Sequence, residues 1–168
     1  LWLFYQIYGA ELKVKICAPT GKAAVRVRES IEHSVASLAS ASDLGISLEC
    51  FALLLAEQTN FGTLHKLLGY LPQNIYFRHN AQNLLEVEVL IVDESSMVGL
   101  PLFSKLLAAL GPTKLRHIVL LGDKNQLSSV EEGYVFASLV NLRKISRDHQ
   151  AYDLFAYHEK SLAAELVT

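Results

Sequence analysis

Cysteine is scarce in this chain, with two in 168 residues. Cys17 and Cys50 stand far apart with no Cys-x-x-Cys pair. That excludes a cysteine-built metal framework, leaves room for one disulfide at most, and points to a reducing compartment, the cytoplasm. The six histidines (His33, His65, His79, His117, His149 and His158) show no His-x-x-x-His spacing, so a histidine-built zinc site is excluded as well. Long apolar runs are missing too. None reaches the ~18 residues needed to span a bilayer, and no membrane partner is expected. The opening Leu1-Trp2-Leu3-Phe4-Tyr5 is apolar but has neither a basic segment before it nor a cleavage site after it, so it does not read as a secretory leader. With no initiating Met, it reads as a fragment that starts inside a helix. Excess charge of one sign is also lacking: 15 Lys and Arg against 17 Asp and Glu give a net charge of −2. Any nucleic-acid contact must then be local rather than global. No internal repeat is present.

What is there is a large apolar core, 51% hydrophobic residues against 19% charged. A chain of this length fits one domain and can bury about 70% of its unfolded surface. The stretch that organises it is Val87-Glu-Val-Leu-Ile-Val-Asp-Glu-Ser-Ser-Met97. Its run Val89 to Val92 is mostly β-branched and stops at two carboxylates, the pattern of a strand buried on both faces of a parallel sheet. Ligands of open α/β sheets gather beyond the carboxyl ends of the strands. Asp93 and Glu94 therefore stand at the rim of a crevice, either as a plain strand-end cap or as a working pair. In the working pair one carboxylate holds a phosphate-bound Mg²⁺ through its water shell and the other orients an attacking water.

Two other strands end in the same way. Leu12, Val14 and Ile16 alternate with Lys13 and Lys15, and Cys17-Ala18 leads into the loop Pro19-Thr20-Gly21-Lys22. A helix follows, with Ala24, Val27, Ile31 and Val35 on one face and Arg26, Arg28, Glu29 and Glu32 on the other. Leu115 to Leu121 is the third strand, ending in Gly122-Asp123-Lys124-Asn125-Gln126. Residues 1–10 read as a helix stopped near Gly9, and Ser34 to Ser47 as a loop or weak helical insertion. Leu48 to Glu57 reads as a short packed helix, and Thr63-Leu64-His65-Lys66-Leu67-Leu68-Gly69 as a capped helical turn. Residues 70–86 form a polar connection. Leu100, Phe103, Leu107 and Leu110 mark another helix closed by Gly111-Pro112, and 132–141 and 147–165 are helical. The expectation is an α/β fold in which each strand delivers a polar loop to one rim of a parallel sheet flanked by helices.

Those loops resemble a known family. Ala18-Pro19-Thr20-Gly21-Lys22-Ala23-Ala24 with Arg26 is similar to helicase motif Ia, and Thr63 to Gly69 to the box that follows it. Val92-Asp93-Glu94-Ser95-Ser96-Met97 looks like motif II, the Walker B element. Leu121-Gly122-Asp123-Lys124-Asn125-Gln126-Leu127 with Ser129, Val130 and Gly133 looks like motif III. Their order and spacing resemble the RecD family, the alpha subunits of exodeoxyribonuclease V, superfamily 1 DNA helicases that move 5′ to 3′. The run Phe77-Arg78-His79-Asn80 fits as well. The resemblance covers about residues 10–140.

It implies a RecA-like P-loop NTPase sheet, with 1–141 a partial motor domain and 142–168 a helical continuation toward a second one. It implies ATP and Mg²⁺ as cofactors. It also implies single-stranded or duplex-end DNA and RecB-like and RecC-like subunits as partners. Asp93 then holds the Mg²⁺ through water and Glu94 positions the hydrolytic water. Gln126 senses the γ-phosphate, and Gly122 and Asp123 complete the nucleotide side. Pro19, Thr20, Gly21 and Lys22 clamp the strand backbone, with Thr63 and His65 as a second contact. Simpler roles stand beside these: a helix-initiating turn for Thr20 to Lys22, a structural hydrogen-bonder for His65, a solvated helix charge for Arg26 and a small core residue for Cys17. Tyr70 and Tyr76 either pack or stack on bases. One departure is plain. The family carries Gly-x-x-x-x-Gly-Lys-[Ser/Thr] before motif Ia, and no such loop stands in these residues, since Gly21-Lys22 is followed by Ala23. The sheet is expected to lack that strand and the chain to be the middle of a helicase. The competing reading is a non-hydrolysing strand-binding or subunit-assembly piece.

Overall fold

A computed structural model describes residues 1–9, 11–39, 61–72, 76–111, 114–123 and 135–145. In chain order the elements are α1 (Trp2–Tyr8), β1 (Val14–Ala18), α2 (Gly21–Ala39), β2 (Phe61–Thr63), α3 (Leu64–Leu67), β3 (Val89–Val92), a 3₁₀ turn (Ser95–Met97), α4 (Leu100–Leu110), β4 (His117–Leu120) and α5 (Val135–Ile145). The four strands form one parallel sheet in the order β2-β1-β3-β4. This is the α/β sheet flanked by helices that the sequence predicts.

The central strands alternate between two cores, as a period of two requires. Val14 and Ile16 of β1 and Val89 and Ile91 of β3 pack with Tyr5, Leu12 and Phe61, against which Phe4, Val27 and Ile31 of the flanking helices rest. Cys17, Leu90 and Val92 point the other way, into Leu64, Leu68, Leu85, Val98, Leu102, Leu106 and Ala109. All four β3 residues are buried, which is why that strand reads as an unbroken apolar run. Each large side chain so buried contributes about 1.5–3 kcal/mol.

Strand order reverses at β1. The chain steps outward to β2, then returns to β3 on the other side of β1 and continues to β4. The α2 side chains sit on one face of the sheet and those of α4 on the other, as right-handed crossovers running in opposite directions demand. The carboxyl ends of β1 and β3 thus flank a switch point, the place where such sheets bind ligands.

Local differences from the sequence reading have identifiable causes. The strand Phe61–Thr63 overlaps the start of the helical turn expected at 63–69 and has no counterpart in the sequence reading; it forms because Phe61 is buried and pairs with Ile16. The helix α2 runs five residues past Ser34, with Ser34 Oγ donating to Ser30 O at 2.7 Å and Ser37 Oγ to His33 O at 2.9 Å. Such i−4 bonds let a serine-rich segment stay helical. The helix α4 buries Leu102, Leu106, Ala109 and Leu110 and leaves Leu100 and Leu107 exposed. Residues 40–60 and 146–168 lie outside the described residues, including the expected helices at 48–57 and 147–165 and most of the 142–168 continuation. Among the described residues no helix is long and apolar enough to cross a membrane.

Candidate functional site

The acidic pair stands where β3 meets the rim. Asp93 N donates to Cys17 O at 2.8 Å, so the first carboxylate-bearing residue is tied directly to the end of β1. Glu94 adopts the left-handed region, φ 51° and ψ 39°, and is the one non-glycine residue with positive φ among those described. That conformation costs a β-carbon-bearing residue roughly 1–2 kcal/mol, and strain of this kind gathers at functional sites. The turn behind it is well tied. Ser95 is buried, its Oγ donates to Val92 O at 2.8 Å, and its N–H donates to Leu121 O at 2.7 Å. Leu121 N returns a bond to Val92 O at 2.8 Å. The acidic turn and the start of the loop after β4 are thereby fastened together. Gly122 lets them approach: a Cβ there would lie 3.0 Å from Ser96 N and 3.2 Å from Ser95 N.

Asp93 and Glu94 are partly exposed, and neither forms an ion pair among the described residues. Their donors are all hard carboxylate oxygens. Among the described residues no group of three or more His, Cys, Asp or Glu could enclose a metal. A cation here would use one or two carboxylates and complete its shell with phosphate oxygens and water, which fits Mg²⁺ and not a fully protein-built cage. Asp123 and Gly122 are described and exposed; Gln126 lies outside the described residues.

Across the switch point the rim changes character. Thr20 caps α2, its Oγ1 accepting from Ala23 N at 3.3 Å and its carbonyl from Ala24 N at 3.0 Å. The N–H groups of Gly21 and Lys22, at the first two helical positions, have no intrahelical acceptor, and both residues are exposed. Pro19 is half-buried. On the neighbouring strand Thr63, in register with Ala18, caps α3 by accepting from Lys66 N at 3.1 Å. His65 is exposed on α3, with its ring 5.7 Å from Phe77 and 6.1 Å from Tyr70, centre to centre. Thr20 to Lys22 and Thr63 to His65 therefore leave adjacent parallel strands at the same end. The helix-starting role of Thr20 is thus observed, and it leaves the exposed Gly21 and Lys22 at the same strand end as Thr63 and His65.

Three features had no signal in the sequence. The left-handed Glu94 is one, because acidic residues give no warning of positive φ. Ser96 is another: its Oγ is buried without a hydrogen-bond partner among the described residues. The third is the ring cluster around Tyr70, which depends on a long-range fold-back. Cys17 is a buried core residue. Burial pushes its thiol up to about 12, and its Sγ faces Ile91 O at 3.7 Å.

A family model described as an AAA domain matches residues 3–132, a span that holds both halves of this rim. The chain belongs to this AAA-domain family. Among curated proteins it is 38% identical over 154 residues to the RecBCD enzyme subunit RecD of Haemophilus influenzae, a match covering 90% of this chain and 23% of that protein. It is 36% identical over 156 residues to the RecBCD enzyme subunit RecD of Mycobacterium tuberculosis, covering 93% and 23%. The ATP-dependent RecD2 DNA helicase of Deinococcus radiodurans is 34% identical over 141 residues, covering 84% and 16%. The resemblance to the RecD family read from the motifs is borne out. The chain spans about a quarter of the length of the two RecD subunits just named. As an AAA domain it places its acidic strand end beside the strand that opens the Thr20 loop, and the Cys17–Asp93 bond joins the two.

Proposed function

We propose that this chain is the nucleotide- and strand-contacting part of an ATP-dependent DNA helicase, moving 5′ to 3′ within an exodeoxyribonuclease V type of complex with RecB-like and RecC-like subunits. The observation that supports it most is the division of one rim by the β1/β3 switch point, carboxylates on the β3–β4 side and exposed cations with open N–H groups on the β2–β1 side. A bound Mg²⁺–ATP would supply the phosphoanhydride and neutralise its charge. Asp93 would hold the metal through water, and Glu94 would accept a hydrogen bond from the attacking water and orient it. The resemblance assigns the γ-phosphate to Gln126 together with Gly122 and Asp123, where an amide would be able to donate to phosphate while accepting from water. Gly21 and Lys22 offer backbone donors and one positive charge to strand phosphates, contacts that carry no sequence information.

Residues 1–168 taken alone favour strand or subunit binding without turnover, because no Gly-x-x-x-x-Gly-Lys-[Ser/Thr] loop stands among them. The two readings are separated by one experiment. The full-length protein that carries this chain is assayed for ATP hydrolysis with and without single-stranded DNA, and for unwinding of 5′-tailed against 3′-tailed duplexes. Strand-stimulated hydrolysis with unwinding of the 5′-tailed substrate is expected. Strand binding with no hydrolysis would overturn the helicase reading in favour of the binding one.

A further inference from the structure

The fold-back after α3 presents an aromatic ring that packing alone does not account for. Arg78 N donates to Gly69 O at 3.1 Å and His79 N to Leu68 O at 2.9 Å, and Tyr70 and Phe77 face each other in an antiparallel bridge. Gly69 permits the approach: it has φ +71°, and a Cβ there would lie 2.7 Å from Arg78 Cβ. Leu68 is fully buried and anchors one strand of this ribbon, while Phe77 packs on the same core and carries Lys105 Nζ 5.1 Å from its ring centre.

Tyr70 is held from both sides. Its N–H donates to His65 O at 2.9 Å, and its ring lies 6.1 Å from His65 and 6.3 Å from Phe77. It is nevertheless 55% exposed. A ring fixed by two aromatic neighbours and a backbone bridge, yet left open, has already lost the freedom that ligand binding would otherwise cost. The surroundings select the ligand. Residues 61–83 contain Lys66, Arg78, His65 and His79 and not one Asp or Glu, in a chain whose net charge is −2. Lys66 and Arg78 are exposed.

We propose that Tyr70, braced by His65 and Phe77, is a stacking platform for an unpaired base of single-stranded nucleic acid, with Lys66 and Arg78 taking the flanking phosphates. This rests on the strand-binding reading given above and adds to it a contact with a base rather than with the backbone. A π-face accepts any base, so the platform is sequence-tolerant and, unlike a phosphate contact, releases no counterions.

The test is anisotropy of labelled oligo(dT), and of an abasic strand of the same length, titrated with the full-length protein that carries this chain and with its Tyr70→Ala, Tyr70→Phe and Tyr70→Trp variants, each over a range of salt. Tyr70→Ala is expected to weaken oligo(dT) binding about tenfold, within the range for one lost base–ring stack. The salt slope should not change, and the loss should vanish on the abasic strand. Tyr70→Phe should bind as the unaltered protein does, and Tyr70→Trp should bind with its indole emission quenched. Equal affinity of Tyr70→Ala for oligo(dT), the same loss on the abasic strand, or an unquenched Tyr70→Trp complex would each overturn the platform while leaving the strand-binding reading intact. No binding of any strand by the unaltered protein would overturn that reading itself, and the platform with it.

Discussion

Ser95 and Leu121 are joined by a backbone hydrogen bond of 2.7 Å, the shortest described link between the acidic turn and the loop that follows β4. Leu121 also donates to Val92 O at 2.8 Å, so the acidic turn and the loop after β4 are held together at two points.

In the full-length protein, Glu94→Gln is expected to retain nucleotide binding while turnover falls by orders of magnitude. The amide keeps the shape of the side chain but accepts poorly from an attacking water. Equilibrium binding of a fluorescent ATP analogue, measured beside steady-state hydrolysis, checks both parts. Near-normal turnover would remove Glu94 from the chemistry.

Lys22→Ala should weaken single-strand binding for every sequence tested. It should also reduce the slope of log affinity against log salt by about 1, the signature of one lost phosphate contact. Because Lys22 is exposed, the melting temperature should hold. An unchanged slope would return the 19–22 loop to a purely helix-starting role.

Ser96→Ala should leave stability unchanged or raise it. A buried hydroxyl with no partner carries a desolvation penalty of about 1–3 kcal/mol, and Ser96 Oγ has none among the described residues. Urea unfolding of both forms checks it. A clear loss of stability would mean that the hydroxyl is bonded after all.

The Cys17 thiol, pushed up to about 12 by burial, should resist thiol reagents at pH 8.5 in a Cys50→Ser background and react quickly once the chain is unfolded. The sign of the linkage follows from the same shift. The folded pKa lies above the unfolded value near 9, so Cys17 stabilises the fold fully below pH 9 and loses that contribution as pH rises from about 9 toward 12. Labelling rates against pH, compared with the urea midpoint, would show both.

Residues 1–168 alone are expected to show no ATP hydrolysis and to associate in solution. Among the described strands β4 pairs on one side only, with β3, and all four of its residues are partly exposed. Apolar edges of this kind attract other chains. Sedimentation beside an ATPase assay tests it; a stable monomer with strand-stimulated turnover would contradict both expectations.

Much of this was legible because burial leaves a local imprint. Val89 to Val92 is apolar throughout because helices cover both faces of its strand, and the carboxylates that end the run mark the rim. The loops after β1 and β4 were legible for the same reason. Phe61-Gly62-Thr63 was not: three residues, one a glycine, cannot display alternation, and that strand exists through its pairing with β1. Leu107 was placed on the buried face of its helix because α4 is apolar nearly all round, leaving sequence periodicity little to choose between. Tyr70 read as a packing ring before a stacking one, since sequence does not show the bridge to Phe77 that leaves its ring braced and open.

The placement of β1 in the middle of the four strands has a mechanical side. It carries hydrogen-bonded ladders to β2 and to β3, and the 19–22 loop hangs from its end. A tug on that loop along the strand loads both ladders in shear, many bonds at once, rather than peeling them singly. Tension from a gripped strand would then pass into the sheet that holds Asp93 without first unravelling the grip.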